Sequence, residues 1–349
     1  MSFKSEISMN TDWQMFLTKQ GAIIEGGLVR HFGDTAAEPA ATGTVLCDLS
    51  QFSTLRVSGP DAQSFLQNLL SNDIREVGST QVQFSSFNSA KGRMLATFLI
   101  WRDGEDYLLQ LPVTLSDAMR KKLGMYVLRA KVKITDAGNE IISLGLSGAQ
   151  EILPKDCLEL PSMGVSHSTE LGCSIIKLGD TRFQLNTTPE QAPTLWQTLV
   201  SQAKPVGSAY WDWLSIRAGI PVILPQTQEQ FVAQMVNFDL IGGINFKKGC
   251  YPGQEIVARM HYLGKLKRRM YLAHIDADAE IAPQAGDELY SDEMEGQACG
   301  MIANAAAAPA GGYDVLAVVQ IASRDTHSVH LGSLQGPALS CESLPYPLP

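Results

Sequence analysis

The amino-acid sequence predicts an α+β protein that contains a ferredoxin-like unit and ends in an antiparallel β-barrel. Residues 52–137 alternate between strand-like and helix-like segments in the order of a split βαβ arrangement. After residue 269 the pattern changes to short strand-like runs separated by loops rich in Gly, Pro and Ala, which is typical of a small barrel. With 349 residues, 45% hydrophobic and 18% charged, the chain is long enough for two or three globular domains.

The segment 52–137 begins with a strand and a helix. Residues 54–58 predict the strand, Gly59-Pro60-Asp61 predicts a turn, and apolar residues then recur from Ala62 to Leu70 at the spacing of one helix face. The remaining predicted elements are strands at 81–87, 94–101 and 107–111, a helix from Thr114 as its N-cap to about Leu128, and a strand at 131–135.

A similar order of elements follows, which is consistent with an internal duplication. Gly219 suits the left-handed end of a helix because it has no Cβ. The predicted elements are a strand at 141–146, a hairpin of 174–178 and 182–186, helices at 189–203 and 209–218, and later strands that include 271–275 and 315–321.

The cysteines predict reduced thiols, because their wide spacings and the lack of a C-x-x-C pair argue against a disulfide or zinc framework. No run of 18 apolar residues predicts a membrane span, and residues 1–10 have no apolar core of a secretory signal. We therefore expect a cytoplasmic protein with no membrane or DNA partner. No phosphate-binding loop, dinucleotide fingerprint or G-x-S-x-G elbow supports a nucleotide-driven or hydrolytic function.

Charge is distributed unevenly along the chain. The net charge is −9, yet residues 247–269 contain seven cations and one acid, Glu255. Such a basic run is either a solvated face or a site for an anion, such as a polyglutamylated cofactor or RNA. The seven cations are Lys247, Lys248, Arg259, Lys265, Lys267, Arg268 and Arg269.

A lone cysteine, Cys250, stands between two glycines at the start of this basic run. Positive charge and the N-terminus of a helix both favour the thiolate form, which is the nucleophile. Pro252, followed by apolar residues at helical spacing, predicts that a helix begins just after the cysteine. The segment therefore predicts a reactive thiol, and the alternative is a buried structural cysteine in a glycine-rich turn.

Residues 248–255, Lys-Gly-Cys-Tyr-Pro-Gly-Gln-Glu, resemble the K-G-C-Y-x-G-Q-E signature of the YgfZ family of folate-binding, tRNA-modifying proteins. The resemblance covers most of the chain and includes residues 57–67, Lys91-Gly92-Arg93, residues 216–221 and the closing residues 344–346. It implies a folate-binding, aminomethyltransferase-like core with ferredoxin-like subdomains and a C-terminal antiparallel β-barrel. The implied domains are a discontinuous α+β folate-binding domain at 1–51 and 138–260, a ferredoxin-like domain at 52–137, and a β-barrel domain at 261–349.

The resemblance also implies a function. Such a protein binds tetrahydrofolate or a one-carbon derivative, and it supports iron–sulfur cluster assembly and iron–sulfur enzymes such as tRNA methylthiotransferase, so that tRNA modification is affected indirectly. Cys250 would be the functional thiol, together with Lys248, Gln254 and Glu255 of the same motif. Three modes of action stay open: holding a cluster component, exchanging with a disulfide, or accepting a one-carbon unit from folate.

By the same resemblance, folate would be bound by aromatic and basic side chains. The pterin needs an apolar slot, and the glutamate tail needs positive charge. Phe52 stands where family members have a tryptophan; it keeps a stacking face but lacks the indole N–H donor. The alternative for Trp211 and its neighbour Trp213 is a plain role in the core. The implied folate-binding residues are Phe52, Trp211, Lys91, Arg93, Arg217 and Tyr251.

Two alternatives stay open beside this reading. The first is a folate-dependent one-carbon transferase. Related aminomethyltransferases carry a catalytic aspartate shortly after the glycine corresponding to Gly92, but residues 94–97 read Met-Leu-Ala-Thr, which weakens this alternative and argues against a glycine-cleavage activity. A direct RNA-binding factor would use the basic run. The pair His327 and His330 superficially suggests a metal site, but no Cys or carboxylate motif surrounds it and no metal is expected.

Overall fold

The structure is a computed structural model that describes residues 10–33, 43–148, 152–262, 264, 266–278 and 281–349. Two segments used in the sequence analysis lie outside these ranges. They are residues 1–9, for which no secretory signal was predicted, and Lys265 of the basic run. None of the helices in the described part of the chain is long and apolar enough to span a membrane.

The chain divides into two compact units. The first comprises Met1–Phe65, Ile74–Gln83 and Phe98–Trp211, and the second comprises Leu66–Asp73, Phe84–Thr97 and Asp212–Pro349. The domain boundaries implied by the family resemblance stay a prediction.

The helices and strands are short and alternate along the chain. Up to residue 147 they are α1 (Thr11–Lys19), β1 (Ala22–Glu25), β2 (Leu28–Phe32), β3 (Val45–Asp48), β4 (Phe52–Ser58), α2 (Ala62–Gln67), β5 (Gln83–Asn88), β6 (Met94–Asp103), β7 (Asp106–Pro112), α3 (Val113–Gly124), β8 (Lys133–Asp136) and β9 (Ile142–Ser147). Beyond it they are α4 (Lys155–Leu158), β10 (Val165–Ser168), β11 (Cys173–Lys177), β12 (Arg182–Thr187), α5 (Ala192–Val200), β13 (Lys204–Val206), α6 (Ser208–Arg217), α7 (Gln254–Tyr262), β14 (Arg268–Ile275), β15 (Glu288–Tyr290), β16 (Ala298–Ala307), β17 (Tyr313–Gln320), α8 (Ile321–Thr326), β18 (His330–Leu331) and β19 (Leu339–Glu342).

The first unit contains a six-stranded sheet in the order β10-β11-β12-β9-β3-β13, in which β13 runs parallel to β3 and the other pairs are antiparallel. One face of this sheet packs on a hydrophobic core. Phe183 and Leu185 of β12 belong to this core, together with Trp13 and Trp196, whose rings meet edge to face at 5.7 Å. Because side chains alternate along a strand, the residues between them lie on the opposite face.

A second sheet of the first unit contains β4, which pairs in antiparallel fashion with β7 on one side and β8 on the other. The strands predicted in this region are present close to their predicted bounds. The helix predicted from Thr114 to Leu128 is shorter. Thr114 is not its N-cap, because Pro112 occupies that position, and the helix ends at Gly124, before Leu128 takes a left-handed φ of 45°.

The second unit contains a six-stranded antiparallel sheet in the order β18-β15-β16-β17-β14-β19, which curls into a half-barrel. Both faces of this sheet are buried. Leu272 and Leu316 lie in one hydrophobic cluster, whereas their neighbours Tyr271 and Val315 lie in another. This explains the continuous apolar run in β17, and the sheet confirms the predicted α+β class with a C-terminal antiparallel barrel-like part.

Candidate functional site

The loop that carries Cys250 lies in the second unit and leads into helix α7. The thiol is exposed, and it is one of two exposed cysteines, the other being Cys341. The helix begins at Gln254 rather than directly at Pro252, because Gly253 takes a φ of 76°, which a helix cannot accommodate. Cys250 therefore stands on an open loop one turn before the helix, which favours access by a reactant over a structural role in the core.

Lys248 is buried beneath this loop. Only 6% of the residue is exposed, and its ammonium donates to the backbone carbonyl oxygens of Gln67, Leu70 and Asn72 at 2.7, 2.5 and 3.0 Å. An ammonium has three N–H donors, so three acceptors satisfy it fully. The structure thus uses Lys248 to join the cysteine loop to the segment 67–72.

Tyr251 and Gln254 of the same motif also contact Lys248 and help to hold the loop. The Lys248 ammonium also lies 5.2 Å from the centre of the Tyr251 ring, and Gln254 Nε2 donates to the Lys248 carbonyl oxygen at 3.4 Å. Tyr251 is buried, and burial raises the pKa of its hydroxyl. Glu255 is exposed in the first turn of α7, where a carboxylate interacts favourably with the helix dipole.

The turn that contains Lys91 and Arg93 packs directly against the cysteine loop. A Cβ on Gly253 would lie 2.5 Å from both Gly92 Cα and the Ser89 carbonyl oxygen, so the two backbones touch. Gly92 has a φ of 70°, and a Cβ there would lie 2.9 Å from Ile256 of α7. Two motifs far apart in sequence therefore meet, and each needs its glycine for the contact.

The cations proposed for the folate tail have different surroundings. Lys91 is exposed, whereas Arg93 donates to the Gln230 carbonyl oxygen at 2.6 Å. Arg217 Nη1 lies 2.5 Å from Glu342 and 3.4 Å from the buried Asp314. The charge of Arg217 is thus shared between two carboxylates, and Lys91 has the more open position.

Trp211, the last residue of the first unit, is almost fully enclosed, with 2% exposed. A Cβ on Gly145 of β9 would come within 2.5 Å of its indole, and the Arg182 guanidinium lies 4.9 Å from the ring centre. The absence of a side chain at residue 145 therefore makes room for the indole. Trp213 instead belongs to the second unit, where its Nε1 donates to Asp314 at 2.8 Å.

Arg182 belongs to a buried polar face that the sequence analysis missed. It alternates along β12 with the core residues Phe183 and Leu185, so Arg182, Gln184 and Asn186 share the face opposite the hydrophobic core. All three are buried, and burial lowers the pKa of Arg182 to about 10. Polar residues at alternate positions of a strand between apolar ones were the available signal. A few buried polar groups that converge on one face are among the features of a ligand site.

Phe52 lines a cavity of about 40 Å³ in the first unit, together with Asp48. Asp48 accepts hydrogen bonds from Trp13 Nε1 at 2.7 Å, from Ser50 N at 3.1 Å and from the Ser50 hydroxyl. Burial raises the pKa of Asp48, although these hydrogen bonds lower it. A space of this size holds a water molecule but not a pterin.

The two histidines considered for a metal site face different partners. His327 Nδ1 lies 2.7 Å from Asp292 and 3.6 Å from Glu293, whereas His330 Nδ1 lies 2.9 Å from the Gly336 carbonyl oxygen. The side chains of Asp292, Glu293 and His327 are exposed and close enough together to share an ion, but exposed acidic groups of this kind are common without one.

Comparison with known proteins identifies the family. Residues 32–219, more than half of the chain, match the model of the GCVT N-terminal domain. A tRNA-modifying protein YgfZ from Enterobacter sp. (strain 638) is 31% identical over 248 residues, which cover 70% of this chain and 75% of that protein. The chain belongs to the YgfZ family. The YgfZ protein of Sodalis glossinidius is 30% identical over 308 residues, which cover 86% of this chain and 92% of that protein.

A solved structure supports the fold assigned to this YgfZ family member. The glycine cleavage system aminomethyltransferase T from Bartonella henselae superposes with a TM-score of 0.77 over 96% of each chain, at 19% sequence identity. The match confirms the predicted aminomethyltransferase-like fold. Met94–Thr97, the segment that contains no carboxylate, form the start of strand β6, and all four residues are buried.

Proposed function

We propose that this chain binds tetrahydrofolate or a one-carbon derivative and supports iron–sulfur enzymes that modify tRNA, such as tRNA methylthiotransferase, with Cys250 as the functional thiol. The observation that carries the proposal is the exposed Cys250 on a loop held by buried Lys248 and by the Gly92 turn. Fixing a loop this firmly around an exposed thiol favours a chemical role for that thiol. Membership of a family named for tRNA modification supports the tRNA-related part of the proposal.

The buried polar face of the first unit fits the polar edge of a pterin. Asn186 Oδ1 accepts hydrogen bonds from Ser143 and Gln184, whereas Asn186 Nδ2 is buried and has no hydrogen-bond partner among the described residues. A buried amide donor without an acceptor is costly unless a ligand supplies one. Gln184 and Asn186 would thus hold the pterin edge beside Trp211. The bound folate would supply a carrier for one-carbon units.

The decisive experiment compares the two exposed cysteines. Cells that lack their own copy of this protein would receive the wild type, Cys250→Ala or Cys341→Ala, and methylthiolated nucleosides in total tRNA would be measured by mass spectrometry. We expect Cys250→Ala to leave the level as low as in the empty-vector strain and Cys341→Ala to restore it. Thermal unfolding of both purified variants controls for stability. Full restoration by Cys250→Ala would remove the thiol from the proposal.

A second experiment tests folate binding on its own. Tetrahydrofolate and 5-formyltetrahydrofolate are titrated into the purified protein while tryptophan fluorescence is followed. We expect saturable quenching that is largely lost in Trp211→Phe and retained in Trp196→Phe, because Trp196 lies in the core on the other face of the same sheet. Asn186→Leu should weaken binding about tenfold or more, since it removes a hydrogen-bond donor from a buried site. Equal quenching in all variants would place folate elsewhere.

A further inference from the structure

The cations of the basic run fall into two groups in the structure. Lys248 is buried on three carbonyl oxygens, and Arg269 is buried with Asn237 at 3.0 Å and Asp239 at 3.8 Å. The four other cations in the described part of the run are exposed, and none of them forms an ion pair with a described residue. These four are Lys247, Arg259, Lys267 and Arg268.

Aromatic side chains lie among these exposed cations. The rings of Phe246 and His261 are stacked, with centroids 3.8 Å apart and an angle of 17° between their planes. Tyr262, the last residue of α7, is 65% exposed and lies edge-on to His261 with centroids 4.7 Å apart. The stack joins the segment just before Lys247 to the end of α7, so the cation at residue 247 and the aromatic rings belong to one continuous surface.

We propose that Lys247, Arg259, His261 and Tyr262, which we call the α7 surface, bind an unpaired segment of tRNA. Unpaired bases stack on exposed aromatic rings, and the phosphates between them pair with Lys and Arg. Tyr262 supplies the ring for a base, and Lys247 and Arg259 supply charge for phosphates. The inference rests on the proposed function and adds that the chain contacts the tRNA itself.

The aromatic rings favour RNA as the partner. Stacking of bases on exposed rings is a large part of binding to unpaired nucleotides, and Tyr262 places a ring that is 65% exposed among the cations. The chain outside the basic run is acidic, so a polyanion is repelled from most other surfaces and is directed to this one. Helix α7 has nine residues and is therefore about 13 Å long, which keeps an RNA bound at Tyr262 within reach of the Cys250 loop.

The test measures RNA binding by the full-length protein in fluorescence anisotropy. The probes are a labelled tRNA anticodon stem-loop, whose loop bases are unpaired, and a fully paired RNA duplex of equal length. We expect tighter binding of the stem-loop. Tyr262→Ala should weaken it about 5- to 150-fold, the range that follows from the loss of one stacked base, and Tyr262→Phe should retain it, because the ring is kept.

The cations are tested by salt dependence. In Lys247→Ala/Arg259→Ala the slope of log K against log salt should become shallower by about 1.4, or 0.7 for each lost phosphate contact. Arg129→Ala removes an exposed arginine from the first unit and is the matched control, for which we expect an unchanged slope. Thermal unfolding of every variant shows whether a loss of binding reflects a loss of folding.

Several outcomes would overturn the inference. They are the absence of RNA binding, equal binding of stem-loop and duplex, and indifference to Tyr262→Ala. If polyglutamate competes with the stem-loop at equal charge concentration and Tyr262→Ala has no effect, the α7 surface is a site for an acidic protein. Failure of the proposed function is seen separately: if Cys250→Ala abolishes tRNA methylthiolation in cells while no RNA binds, the proposed function stands and the α7 surface proposal falls.

Discussion

Replacement of Lys248 by methionine gives the sharpest test of how the cysteine loop is held. The substitution keeps the length of the side chain but removes the ammonium, so the carbonyl oxygens of Gln67, Leu70 and Asn72 lose their shared donor. Each buried acceptor left unsatisfied costs about 1–3 kcal/mol. The desolvation cost of the buried ammonium is removed at the same time, so we expect a net loss of about 3–5 kcal/mol in the free energy of unfolding.

Two measurements check this value. Because the chain has two compact units, denaturant unfolding is followed together with hydrogen exchange of the peptides covering 66–73 and 247–256, which reports the loop locally. Faster exchange in both peptides is expected for Lys248→Met. Lys247→Met is the control, since Lys247 is exposed and its substitution should change the free energy of unfolding by less than about 0.5 kcal/mol.

The result also separates two roles for Lys248. If Lys248→Met has wild-type stability and wild-type exchange in both peptides, the structural argument is wrong. If stability is kept but tRNA methylthiolation is lost, the ammonium acts in chemistry rather than in support. Lys248→Arg should also destabilise the loop, because a planar guanidinium cannot direct its donors at three carbonyl groups arranged around an ammonium.

Three further substitutions test other parts of the structure. Gly253→Ala should cost about 2–4 kcal/mol in the free energy of unfolding, because it adds a methyl group at positive φ against a facing backbone, whereas Gly249→Ala, with open space around it, should be nearly neutral. Gly145→Ala should displace the Trp211 indole, shift its fluorescence and cost about 1–3 kcal/mol, and an unshifted spectrum would refute the packing described. Burial raises the pKa of Asp48, so the folded state holds the carboxyl proton more tightly than the unfolded state, and the contribution of Asp48 to stability falls as pH rises from about 4 through its folded pKa. The unfolding free energy of the wild type minus that of Asp48→Asn should therefore decrease over this pH window. A difference that does not change with pH would contradict this expectation.

The sequence predicted most strands because their alternation and turn residues are local signals. The strand at residues 107–111 and the hairpin of 174–178 and 182–186 are examples. The ends of helices were less accurate, since Pro112 rather than Thr114 caps α3. Strand β3 was missed because it is buried on both sides and has no alternation to detect.

The motif at residues 248–255 identified the candidate thiol, but the sequence could not tell which cations serve it. Lys248 and Lys247 are adjacent and chemically identical, and only the fold shows that one is buried on backbone carbonyl groups while the other is exposed. The alternation of Arg182 with apolar residues was a local signal, but only the fold shows that this side chain is buried and lies beside Trp211. Local sequence therefore gives the residue types of a site, and long-range packing assigns their roles.

The exposed cations of the basic run are close together in the sequence, and this explains how a protein with a net charge of −9 could bind a polyanion. At physiological ionic strength charges are screened beyond about 8 Å, so a phosphate on the α7 surface responds to Lys247 and Arg259 far more than to acidic residues elsewhere. At low salt the screening length grows, and repulsion from the acidic remainder increases together with attraction to the α7 surface. The affinity of the wild type for the RNA stem-loop should consequently rise less steeply at very low salt than between 50 and 200 mM, whereas a surface with uniformly distributed positive charge would follow one straight line on the log–log plot.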